Sequence, residues 1–169
     1  KAVAAAAIQT LATAAKIPGV ELLLITDKSK IERILELTVQ ANTLQVEDVA
    51  FANELKSWIR FSENDAIATR DGLYAACSGN PTMPGWLGRM MFGWVFSSGS
   101  ENEKYVRQIR SSAGLAVFVS EKDDRDHWIN AGRAFQRFAL QATALDIRHA
   151  FVNQAVDVPQ VRQDLARLL

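Results

Sequence analysis

The chain has 169 residues, enough for one domain with a sizeable core. Lysine plus arginine equals aspartate plus glutamate at 19 each, so the charge balance gives no reason to propose nucleic acid or an anionic membrane as partner. Cys77 is the single cysteine, which excludes an intrachain disulfide and a cysteine zinc site, and no apolar run approaches the roughly 20 residues of a membrane helix.

The chain starts at Lys1 without a methionine and stops at Leu169 inside a helical pattern, as a fragment or the second half of a longer chain would. Ala2 to Ala15 is alanine-rich, with Ile8, Leu11 and Ala15 on one face, and reads as a helix that Pro18-Gly19 stops. Val20 to Thr26 reads as a buried strand, and Asp27 to Ser29 as the cap of a helix carrying Ile31, Ile34, Leu35 and Thr38. Gln45 to Phe61 is predicted as one further helix, with Arg60 to Asn64 as its exit. Thr69 to Phe96 shows no clear period and holds five of the nine glycines, so it reads as a long loop. Its aromatic content argues against disorder and for a lid or arm inserted at 69–96 that packs on a partner surface.

Ser97 to Ser100 reads as a linker and Glu101 to Arg110 as a short helix. Leu115 to Val119 is an unbroken apolar run, which predicts a central strand buried on both faces. Asp123, Asp124 and Asp126 suit the positive end of the helix that follows. That helix, from His127 to Leu145, carries Trp128, Ala131, Phe135, Phe138, Ala142 and Leu145 on one apolar face, and Arg133, Arg137 and Gln141 on a wetter one. Gly132, Ala134, Ala139 and Ala144 leave room for a second backbone or a flat cofactor. Asp146 to Arg148 turns the chain, His149 to Val152 reads as a short strand, and the amides Asn153 and Gln154 follow it directly. Val158 to Leu169 is a last helix with Pro159 near its first turn.

Dinucleotide-binding glycine fingerprints, Walker loops and His-Glu-x-x-His pairs are absent. His127 and His149 read as surface or capping histidines, so no metal site is expected. Ser78 is not in a nucleophile elbow, and Cys77 reads as buried rather than reactive. Arg70-Asp71-Gly72 and Ser78-Gly79-Asn80-Pro81 have two readings, plain turns or parts of a lid over a ligand. Arg133 and Arg137 likewise read as a solvated face or as contacts to a phosphate.

Several strings resemble the flavin-dependent nitroreductase superfamily: RDGLYAACSGNP, PGWLGRMMF, ENEKYVRQIRSSAGLAVFVSEKDD, the AGRAFQ and LQATAL parts of the long helix, and FVNQAVDVP. The branch they most resemble is the Acg-like group, often described as twin-arginine-signal nitroreductases, and within it the second of two fused units. The resemblance runs from about Trp58 onward. It implies an α+β fold with helices packed around a small central sheet, FMN as cofactor, and a homodimer or pseudo-dimer with flavin at the interface. It places Asn153 and Gln154 at the flavin N5, and Arg70, Ser78, Gly79, Asn80 and Arg133 around the cofactor. It assigns no catalytic side chain. The implied reaction is hydride transfer from NAD(P)H through flavin to a nitro compound or quinone, in the cytoplasm, or in the periplasm if a twin-arginine signal lies upstream. The family's Pro-Ser-Ser-x-Asn-x-Gln-Pro-Trp loop is replaced here by Lys16-Ile17-Pro18-Gly19, and its N-terminal Arg-Ser-x-Arg is not in the sequence. Those departures favour an alternative: a non-catalytic partner half, kept for dimer packing or flavin sequestration.

Overall fold

Alanine, leucine and charged residues at helical spacing make most of this chain helical, and among the described residues the strands form two small sheets, an α+β arrangement. The computed structural model describes residues 3–95 and 97–169, without the side chains of Ser78, Trp94 and Val95. Ala2 and Phe96, the outer ends of two predicted segments, lie outside the described residues. The chain divides into two compact units, Lys1–Leu35 with Arg107–Val152, and Glu36–Val106 with Asn153–Leu169.

The first unit is built on an antiparallel pair, β1 (Val20–Ile25) and β4 (Leu115–Ser120), in a register that sets Leu22 opposite Phe118. Leu22, Leu24 and Phe118 share one face of this pair and pack on Leu11 and Ala15 of α1 (Ala5–Ala14 and its cap) and on Phe138 and Ala142 of α7 (Arg125–Ala144). The Phe118 ring meets Phe135 and Phe138 edge-on, at centroid distances of 5.9 and 5.7 Å, the arrangement that aromatic quadrupoles favour. Asp124 caps α7 by accepting from the His127 amide at 3.0 Å, and the His127 ring Nδ1 sits 2.6 Å from the same oxygen. The α2 helix (Lys28–Glu47) begins with Lys30 donating its backbone N–H to Asp27. In this unit Glu32 of α2 takes a two-pronged bond from Arg110 of α6 (Ser98–Ser111), which holds the carboxyl below its usual range.

In the second unit Asp48 starts α3 (Val49–Trp58) by accepting from the Ala50 and Phe51 amides, and Ser62 starts α4 (Glu63–Thr69) in the same way. Between them, β2 (Ile59–Arg60) pairs in parallel with β3 (Leu73–Tyr74). A 3-10 turn (Ala75–Ser78), α5 (Gly85–Val95), α8 (Gln154–Asp157) and α9 (Pro159–Leu168) complete it. Asn42 and Thr43 of α2 share an amide ladder with Asn102 of α6.

Five sequence expectations are corrected. The helix read from Gln45 to Phe61 is broken at Asp48, because its carboxylate satisfies the first amides of a new helix. The segment 69–96 is not structureless: it contains β3, the 3-10 turn and α5, and Pro84 stands just ahead of α5, where proline is tolerated. Ser97–Ser100 is a cap and first turn of α6 rather than a linker. Among the described residues β4 pairs only with β1, and Ala116 and Val119 are exposed, so this strand is not buried on both faces. His149 to Val152 forms no strand; its Phe151 ring lies on Phe135 instead, 4.5 Å between centroids.

The long helix exists where predicted, but its buried face is Ala134, Phe138 and Ala142. Trp128 is 60% exposed, its indole N–H held by Asp123. Leu145 is exposed as well. Phe138 and Ala142 lie on the predicted face, and Ala134, one helical step of four before Phe138, completes the stripe in place of Trp128 and Leu145.

Candidate functional site

The second unit contains an apolar cavity of about 60 Å³. The exit from α3 supplies Ile59 and Phe61, the 3-10 turn Ala75, and the connection beyond it Asn80, Pro81 and Met83. From α5 come Gly88, Met91 and Phe92, and from α6 comes Glu101. The connection is tied in place by backbone bonds from Met83 to Phe61 and from Asn80 to Ala75. Phe61 and Phe92 pack edge-on at 6.3 Å, and Gly88 has no room for a side chain, since a Cβ there would stand 2.3 Å from the Phe61 ring. The wall is thus a glycine step of α5 laid against an aromatic pair.

Arg60 ties β2 to the segment that leads into β3. Its guanidinium is almost fully buried and donates to Asp71 at 2.7 and 2.9 Å, to Thr69 and to the Ser57 carbonyl. The Thr69 hydroxyl and the Arg60 guanidinium together hold the Asp71 carboxyl below its usual range. The sequence places Arg60 only in a helix exit; the signal for its role is the pairing of one arginine with the acid of the Arg-Asp-Gly string. Gly72 completes this clasp at φ +70°, where a Cβ would meet the Trp58 carbonyl oxygen at 2.3 Å.

The sequence-predicted site residues fall out as follows. Asn80 lines the cavity, and Gly79 beside it is the left-handed cap of the 3-10 turn, with open space around it. Ser78 ends that turn, and its side chain lies outside the described residues. Arg70 is the left-handed cap of α4 and is exposed. Asn153 is the exposed N-cap of α8, its carbonyl accepting from Val156 and Asp157. The Gln154 side chain turns inward and donates to the Tyr105 hydroxyl of α6, one helical turn past Glu101, while its Oε1 is buried without a partner. Arg133 belongs to the first unit, exposed on α7 with Arg137, as a solvated face would be. Burial, then the charge of Glu101, push the Tyr105 phenol above its ordinary range.

The His127 ring bonds Asp124, the cap of α7, and His149 is exposed beside Phe135. Cys77, expected inside, is exposed, because it lies on the outer side of a single 3-10 turn. Among the described residues no group of three or more His, Cys, Asp or Glu stands together as a metal would need, and no helix is long and apolar enough to cross a membrane.

A flavin ring system fits this cavity poorly. Ligand sites of that size run to about 300–1,000 Å³, and the one ionisable group on the cavity wall is a carboxylate, the wrong sign for a phosphate. No family model, no curated protein and no solved structure matches the chain.

Proposed function

We propose that this chain is a nitroreductase-like unit whose role is to pack against a second such unit, and that FMN, if carried, is held by the joined pair. The reading rests on the sequence resemblance and on one observation. The outward side of α7 leaves Trp128, Ile129 and Leu140 exposed at 60, 55 and 62%, with Gly132 between them facing open space. A surface helix ordinarily turns charged residues outward, and large apolar groups collected around a glycine notch mark a surface built for a partner. In the joined pair, electrons would pass from NAD(P)H through flavin to a nitro compound or quinone, as the resemblance implies. The resemblance would give Asn153, which is exposed, a place beside that cofactor.

Sedimentation of the wild type and of Ile129→Asp and Leu140→Asp variants tests the packing role. The expected result is a concentration-dependent dimer that both variants turn into folded monomers. A wild type that stays monomeric at its highest soluble concentration removes the basis for the reading. FMN titration of the dimer and the monomeric variants then separates the two roles: quenching confined to the dimer supports a flavoprotein, and none in either supports packing alone.

A further inference from the structure

We propose that the cavity of the second unit seats the short branched hydrocarbon end of a small protonated amine, whose ammonium is taken by Glu101. This inference is independent of the α7 face. The cavity walls are hydrocarbon and thioether: Ile59, Phe61, Met83, Met91 and Phe92. A volume of about 60 Å³ equals only a few water-sized positions, at about 10–15 Å³ each. Water gains little against these hydrocarbon walls, which offer it no partners, whereas a hydrocarbon group of four or five carbons gains by leaving water. Methionine walls adapt their shape to such a group.

The polar edge sets the head group. Glu101 and Asn80 are the polar lining residues. The Glu101 side chain is 18% exposed, and one of its oxygens accepts from Lys104 at 2.6 Å. A carboxylate accepts and never donates, and its second oxygen has lone pairs to spare. A ligand head that bonds this oxygen must therefore donate, and a charged donor bonds about twice as strongly as a neutral one. A carboxylate or phosphate ester head that is fully ionised has no proton to give that oxygen.

The test uses the whole chain and three probes of one carbon skeleton: 3-methylbutylamine, 3-methylbutanol and 3-methylbutanoate. Methyl resonances of Met83 and Met91 report on the cavity, and Met90, which is 66% exposed, is the internal control. The amine should shift Met83 and Met91 but not Met90, and should bind about tenfold more tightly than the alcohol, while the acid leaves all three unmoved. Glu101→Gln should bring the amine down to the alcohol's affinity, and Met83→Trp, which fills the cavity from a segment outside any helix, should abolish both. The proposal is overturned if no probe shifts Met83 or Met91, if the acid or alcohol binds as well as the amine, if Met90 moves with the other two, or if Glu101→Gln keeps the amine preference.

Discussion

Gln154 of α8 donates its side-chain amide to the hydroxyl of Tyr105 on α6, and by doing so leaves its own carbonyl oxygen buried without a partner. One phenol can satisfy only one end of an amide, so this contact joins a good bond to an unmet one. Tyr105→Phe removes the good half and leaves the whole amide unpaired, which should cost about 1–3 kcal/mol. Gln154→Leu removes the buried unsatisfied oxygen together with the bond and should be close to neutral. Urea denaturation of both variants checks the order; a Gln154→Leu cost above that of Tyr105→Phe would reveal a further partner for the amide.

The raised Tyr105 pKa gives an alkaline signature. Its folded value lies above the ordinary 10.0, first through burial and then through Glu101. Its contribution is therefore complete below pH 10 and declines as the unfolded chain begins to ionise above that value. Stability followed from pH 9 upward should fall in the wild type, and the fall should be shallower in Tyr105→Phe. Identical slopes would place the phenol in solvent.

At the acid end the relevant group is Asp124. The backbone N–H of His127, then its ring, hold this carboxyl below 3.8, so the capping contribution is present above that value and lost as pH drops through the lower folded one. Amide exchange at His127 should accelerate in that window. Asp124→Asn, which keeps an acceptor but has no charge to lose, should flatten the dependence. An unchanged dependence in that variant would assign the acid response to another group.

Along α7 the space around each small residue differs. A Cβ on Gly132 would meet nothing within 4 Å, whereas Ala134 and Ala142 are fully covered. Gly132→Ala should stabilise by about 0.5–1 kcal/mol through helix propensity, and Gly132→Leu should leave the fold of the single chain intact. Ala142→Leu should cost about 1–3 kcal/mol by overpacking against Leu11 and Ala15. Thermal unfolding of the three variants at low protein concentration decides it; a collapse of Gly132→Leu with Ala142→Leu unharmed would reverse the inner and outer faces.

Two left-handed glycines give a matched pair. Gly79 at φ +71° has open surroundings, so Gly79→Ala should cost only the backbone penalty, about 1–2 kcal/mol. Gly72 at φ +70° faces the Trp58 carbonyl, so Gly72→Ala carries the same penalty and also drives the Arg60 clasp apart. Denaturant midpoints should rank wild type, Gly79→Ala, Gly72→Ala in falling order. Equal losses at the two positions would show that the carbonyl gives way.

Features written locally in the chain were legible in it. The alanine run, the turn at Pro18-Gly19, the cap at Asp27, the aspartates that lead into α7, and Pro159 at the start of α9 each act through neighbours in sequence. What escaped depends on distant partners. Whether Leu115–Val119 is a central or a two-stranded element turns on which strands reach it, and its apolar letters carry no such information. The same holds for His149–Val152, where Phe135 rather than a strand receives the aromatics. Of the candidate site, Asn80 was visible through its turn chemistry, while Glu101 and Met91 come to the cavity from helices that no motif joins to it.

The threading of the chain has a consequence for its synthesis. Each unit is assembled from two separated stretches that alternate along the sequence, so finishing the first requires residue 152 and finishing the second requires residues 153–169. Ile25 must find Leu115, 90 positions later (115 − 25), before β1 has its partner. A nascent chain emerging from the ribosome therefore cannot complete one unit and move on to the next, as chains with consecutive domains do. Until β4 is made, the Val20–Ile25 strand presents an unpaired edge rich in leucine, the kind of edge that recruits other chains. Translation arrested near Val106 would release a polypeptide with neither unit closed and the β1 edge unpaired.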